Sequence, residues 1–236
     1  MGTILAGTVM ELAATVLRDL GNVRWTREEL LNWLNDGQAA IVIHKPNACV
    51  VNEGLHLSQG TKQRIPAAGV ALVSVTRNLG ADGNTPGRAV RLVDRAALDA
   101  RRPGWHGDNA AAEIRHYTFS DNDPHHFYVY PPADGTSHVE IVYSASPEPC
   151  ESDAEPIAID DIYQGVLVNY ILFRAYSKDA DSPGNAQKAL AYNNLVRSGL
   201  GLKAQAEWST DPNVRANTGP SPSVQPQPVA GPGGIS

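Results

Sequence analysis

The chain has seven histidines, and the pair His125-His126 lies beside Asp121 and Asp123. Imidazole next to carboxylate is the material of a metal site or of acid–base chemistry. Adjacent residues on a strand point to opposite faces, so these two rings do not converge easily. The segment reads as a polar loop. The weaker alternative is a small hydrolase using His125 or His126 with Asp121 or Asp123. His116 and His138 fall at strand positions suited to cross-strand contacts. Cys49 and Cys150 are the two cysteines, too few for a disulfide framework or a thiolate zinc site. They read as free thiols, and neither has a basic neighbour close in sequence. Gly80–Gly87 is glycine-rich but lacks a lysine and a following helix, so it reads as a hairpin loop rather than a phosphate cradle. There is no His-Glu-x-x-His zinc signature and no Gly-x-Ser-x-Gly elbow. Arg88, Arg91, Arg95, Arg101 and Arg102 make a local basic cluster, diluted by Asp94 and Asp99. Glu151, Asp153, Glu155, Asp160 and Asp161 precede a helix, where capping and the helix dipole explain them. No catalytic centre, cofactor or metal is expected from these residues.

Leu5, Val9, Leu12 and Val16 recur at helical spacing within 3–19, and Gly21 is expected to stop that helix. Thr26 with Glu29 makes a capping box, and Trp25 precedes it as a staple. The second helix is expected over 27–43, with Leu30, Trp33, Leu34 and Ile41 on one side and Pro46 at its end. Strands are expected at 70–76 and 88–93, then a short helix at 95–100 capped by Asp94. Three more strands, 114–119, 126–130 and 138–143, alternate in character and are joined by turn-forming links, as in an antiparallel meander. A helix over 162–176 follows Asp160 and is apolar almost all round, so several of its sides must be buried. The last helix starts at Ser182-Pro183 and is expected to end at Gly199 and Gly201.

The chain has 236 residues, 42% hydrophobic and 19% charged, with a net charge of −6. A core of useful size is expected, and wholesale disorder is not. The acidic balance argues against nucleic-acid coating. No apolar run is long enough to span a membrane, and the first residues lack the basic region of a secretory signal. Six of the 17 prolines fall in residues 211–236, a stretch without helical or strand period. That composition fits an arm that orders on a partner. The expected architecture is α+β: a four-helix bundle from N- and C-terminal helix pairs, an inserted antiparallel β lobe and an extended Pro/Gly-rich C-terminal arm. The expected segments are 1–58 and 151–205 for the helix pairs, 59–150 for the β domain and 206–236 for the arm.

The block Trp25-Thr26-x-x-x-Leu30-x-x-Trp33-Leu34-Asn35-Asp36-Gly37-Gln38-x-x-Ile41 resembles the opening of the head-to-tail adaptor proteins of short-tailed bacteriophages. The block Asp161-x-Tyr163-x-x-x-Leu167-x-x-Tyr170-x-Leu172-x-Arg174-Ala175-x-x-Lys178-Asp179 is similar to theirs too. The tail tubular adaptors of T7-like phages have the same order of helices around a β insertion. The resemblance implies a structural role without catalysis, in a ring of twelve copies between portal protein and tail nozzle protein. Double-stranded DNA would pass through without sequence-specific binding. It implies a place in the virion tail, at the head-to-tail junction, after synthesis in the host cytoplasm. It implies a portal-docking role for the arm, where Trp208, Val214, Val224, Pro226, Pro228, Val229 and Ile235 are the candidate contacts. Trp33, Tyr163, Tyr170, Phe173 and Tyr176 are candidates for bundle core or subunit interface. Asp121, Asn122, His125 and His126 are candidates for nozzle-facing loops. The alternative is an aromatic-rich β module, with Trp105, Tyr128 and Tyr130 binding a saccharide or a protein.

Overall fold

A computed structural model describes residues 2–210, with side chains described for residues 2–201. The chain divides after Leu200 into a large compact unit and a C-terminal one. In chain order the elements are α1 (Ala6–Leu17), α2 (Arg27–His44), β1 (Val50–His56), β2 (Gly60–Arg64), β3 (Gly69–Leu79), β4 (Pro86–Ala89) and β5 (Arg91–Leu92). Then come α3 (Arg95–Arg101), β6 (His116–Ser120), β7 (Asp123–Ala133), β8 (His138–Ala145), α4 (Gln164–Lys178) and α5 (Pro183–Thr210).

Helix α1 buries Ala6, Val9, Met10, Ala13 and Leu17 on one stripe. Its first amides have no side-chain cap. Carbonyls from a distant segment take their place: Ala6 N donates to Glu155 O at 2.8 Å and Gly7 N to Asp153 O at 2.9 Å. The helix ends at Arg18 in the left-handed region (φ 57°), ahead of the expected stop at Gly21. Asp19 then folds the link back by accepting from the amides of Val23, Arg24 and Trp25. The capping box at Thr26 and Glu29 forms as the sequence implies. Helices α1, α2 and α4 pack around Leu30, Trp33, Leu34, Ile41, Tyr163, Leu167 and Ile171. Each such large apolar side chain contributes about 1.5–3 kcal/mol on burial.

The strands form two four-stranded sheets, ordered β1-β8-β3-β4 and β2-β7-β6-β5. Among the strand pairs of the described residues, the short β5–β6 pair alone is parallel. The sheets share one core, built from Leu72, Val75, Tyr117, Phe127, Val129, Val139, Ile141 and Tyr143. In β3, three register shifts against β8 add one residue each. Buried positions therefore recur every third residue, at Gly69, Leu72, Val75 and Asn78, while Val70 and Val73 face out.

Three expectations are corrected by this architecture. The fold is α+β, but it is not a four-helix bundle carrying a small inserted lobe. Eight strands build a core of their own, while among the described side chains α5 meets the helical core through little more than Tyr192, Val196 and Leu200. The supposed meander is also absent. β6 and β7 pair, but β8 crosses to the other sheet and lies between β1 and β3. The Asp134-Gly135 link is a corner, with Asp134 accepting from Thr136 and Ser137 and Gly135 at φ 88°. Finally, α5 continues through Gly199 and Gly201. A glycine weakens a helix by about 1 kcal/mol without stopping it. Gly199 instead allows close approach: a Cβ there would meet Val166 Cγ2 of α4 at 3.0 Å.

Candidate functional site

The two sequence blocks that carry the adaptor resemblance meet in space. Arg174 donates to Asp36 at 3.2 Å and Lys178 donates to Glu29. Arg24 donates to Asp179. A Cβ on Gly37 would come within 3.0 Å of Tyr170 Cδ1 and 3.1 Å of Leu167 Cδ2, so the glycine lets α2 lie close on α4. Asn35 and Gln38 use their amides on the segment after β8. Asn35 exchanges two bonds with the Cys150 backbone, and buried Gln38 accepts from Ala158 N at 2.7 Å. Asp161 completes the frame. It accepts from Thr3 Oγ1, Thr3 N and Ile4 N at 2.6, 2.7 and 3.0 Å. These bonds, from Thr3 first and Ile4 next, hold its carboxyl below its ordinary range. The blocks thus build an architectural frame.

Trp33 and Tyr163 lie inside the helical core, while Tyr170, Phe173 and Tyr176 of α4 are half-buried. Beside them runs a groove of about 600 Å³ lined by Val16, Arg24, Trp25, Tyr176, Lys188 and Tyr192. The groove is amphipathic, with Lys188 over the Tyr176 ring and Arg24 over Trp25. The outer face of α1 and its link is apolar and exposed: Leu5 44%, Leu12 45%, Val16 46%, Leu20 74% and Val23 87%.

The candidate loop residues divide between the β6–β7 turn, Asp121 and Asn122, and strand β7 itself, which takes in His125 and His126 that were expected in a loop. His126 Nδ1 lies 2.8 Å from Asp123 Oδ1, and this bond keeps the Asp123 carboxyl below its ordinary range. Both border a hollow of about 170 Å³ with Ser120, Thr118, Arg95 and Tyr128. Ser120 Oγ accepts from Asn122 N at 3.3 Å, and among the described residues no hydrogen bond joins it to His126. His125 is exposed and its backbone oxygen accepts from Ile65 N at 3.1 Å, and as neighbours on β7 His125 and His126 point to opposite faces. Asp121 and Asn122 are exposed at the tip. Among the described residues no hydrogen bond joins a hydroxyl nucleophile to the Asp123–His126 pair, the arrangement that a hydrolase would require.

Of the candidate aromatic platform, Trp105 is not available for stacking, while Tyr128 and Tyr130 are half-buried. Trp105 is fully buried, with its Nε1 donating to Asp99 at 2.7 Å and its ring edge-on to Tyr128 and Tyr130. A buried indole cannot stack on a sugar. The basic cluster is largely neutralised: Arg88 pairs with Glu113, Arg95 with Asp99 and Arg102 with Asp108. Among the described residues no group of three or more His, Cys, Asp or Glu side chains gathers as metal ligands, and no helix is long and apolar enough to cross a membrane. Trp208 falls on the α5 backbone, and Val214, Val224, Pro226, Pro228, Val229 and Ile235 lie outside the described residues.

No sequence signal marked Asn35, Gln38 and Asp161 as cross-chain staples, because their partners lie more than a hundred residues away. Comparison with curated proteins gives no match. The model of the family described as SU10 adaptor protein matches residues 8–216. The match spans both motif blocks and every strand, and the chain belongs to that family of phage head-to-tail adaptors.

Proposed function

We propose that this adaptor forms a closed ring of about twelve copies joining the portal to the tail nozzle and letting DNA pass, as a virion component without catalytic activity. The observation that carries the reading, beside family membership, is the exposed ridge Leu12, Val16, Leu20 and Val23. A closed ring is heterologous, so each copy needs two different faces. In this reading the ridge packs against the next copy, and half-buried Tyr170, Phe173 and Tyr176 extend the contact. Residues 206–236 form the arm that docks on the portal. The turn of Asp121 and Asn122, with His125 and His126 at the start of β7, faces the nozzle. The net charge of −6 suits a conduit that does not retain phosphates.

The test is native mass spectrometry and negative-stain microscopy of the full-length chain, alone and with portal protein. A ring that caps the portal is expected. A monomer that ignores the portal overturns the reading. Leu20→Glu is expected to leave the monomer folded and to abolish the ring, because its carboxylate would be buried unpaired between copies.

A further inference from the structure

The outer face of the β1-β8-β3-β4 sheet holds a histidine pair that the adaptor role does not use. His56 and His138 are direct register partners across β1 and β8. The next pair, Leu57 and Ser137, is hydrogen-bonded through Leu57 N and Ser137 O at 2.9 Å. Pairs alternate in an antiparallel ladder, so His56 and His138 occupy a non-hydrogen-bonded pair, where side chains stand closest. Their ring centres are 4.7 Å apart, with the planes at 65°.

That spacing has a chemical meaning. An imidazole nitrogen binds zinc or a similar ion at about 2.0–2.1 Å, which puts the ring centre about 3.2 Å from the metal. Two imidazoles on one ion, at angles between a right angle and a tetrahedral one, therefore have centres about 4.5–5.2 Å apart. Edge-packed rings without a metal reach this distance too, so the distance does not decide alone. The second observation is His138 Nδ1, which is buried and has no hydrogen-bond partner among the described residues. A buried nitrogen of this kind costs free energy unless a donor or an ion satisfies it.

The surroundings select the ion. Gly83 of the β3–β4 loop lies over the His138 ring, where a Cβ would come within 3.3 Å of Cδ2. The nearby carboxylates are engaged elsewhere: Glu140 with Arg77, and Asp82 with Asn84 and Thr85. The donors are then two neutral imidazoles, with water for the remaining positions. Such a set suits borderline transition metals and not calcium or magnesium, which want oxygen.

We propose that His56 and His138 form a two-imidazole site for a divalent transition-metal ion of the copper, nickel or zinc type. The ion clips the end of β1 to β8, beneath the β3–β4 loop. The inference stands independently of the ring.

The test uses the tag-free full-length chain after chelator treatment, titrated calorimetrically with Cu²⁺, Ni²⁺ and Zn²⁺ separately. One ion per chain is expected, with Cu²⁺ the tightest of the three. Metal should raise the melting temperature by several degrees, because it binds the folded state. His56→Ala, at an exposed position, should keep the metal-free melting temperature and weaken binding at least tenfold. His138→Gln should weaken it as much. His126→Ala, at the start of β7, should leave affinity unchanged. Absence of saturable binding overturns the proposal, as does binding that survives His56→Ala or disappears in His126→Ala.

Discussion

Two polar side chains hold distant parts of the chain together. Asn78 is 4% exposed and sits at the last buried position of β3. Its amide donates to Arg88 O at 2.9 Å and to Ile114 O at 2.7 Å, and its oxygen accepts from Ile114 N at 2.8 Å. Asn78→Ala would strand the buried N–H and C=O of Ile114, at a cost of about 2–6 kcal/mol, since each buried orphan costs about 1–3 kcal/mol. The check is urea denaturation, where a fall of that size at unchanged slope is expected. Asp161 acts through charge. Its pKa is depressed in the fold, so its contribution is present above the ordinary carboxylate range and is lost as pH falls through the folded value. Asp161→Asn should lower stability at neutral pH and flatten the acid limb of a stability–pH profile. An unchanged limb would mean that Thr3 and Ile4 do not discriminate the charged form. At this scale the sequence was poorly legible. Asn78 and Asp161 look like ordinary strand-end and helix-start polar residues, because what defines them is a partner far away in the chain.

Elements were legible where a local signal closes on itself. The capping box at Thr26 is complete within four residues, and α2 begins where it says. Thr26→Ala should destabilise the chain by about 1 kcal/mol. Thermal unfolding would register this as a drop of a few degrees, and substituting exposed Ser177 by Ala should serve as a neutral control. The edge strands β1 and β2 were not legible, while the single strand expected at 88–93 divides into β4 and β5 at the edges of different sheets. β1 has the pattern of a solvated segment because Asn52, Glu53 and Gly54 interrupt it. β2 buries Thr61 and Gln63 instead of apolar residues, and Gln63 spends its amide on Ser58 and Gly60 within its own turn. β3 hides its alternation behind bulges, which convert a period of two into a period of three. Sheet membership was beyond reach for a further reason. The turn at Asp134-Gly135 fixes a change of direction, but β8 is assigned to β1 and β3 by the long-range packing of Val139, Ile141 and Tyr143.

For the whole molecule, the family was readable through residues now seen to be a frame: Asp36 with Arg174, and Gly37 against Tyr170. The error lay in proportion. Two helix pairs around a β insertion suggested that the helices dominate, whereas the strands build two full sheets. At Asp121–His126 only Asp121 and Asn122 form the turn, His125 and His126 lying on β7, and the contact seen there is the Asp123–His126 hydrogen bond. One consequence of the layout concerns synthesis. Helices α1 and α2 leave the ribosome before α4, yet much of their apolar faces closes on α4 and on the segment from Cys150 to Tyr163. The sheet in between cannot close before β8 arrives, because β8 lies between β1 and β3. Non-local pairing of this kind comes late and leaves early surfaces open. A subunit cut short before α4 thus never hides its Trp33 and Leu34 face. It stays open to chaperones and proteases, so the fold itself inspects each chain for length before a damaged copy can be built into a particle.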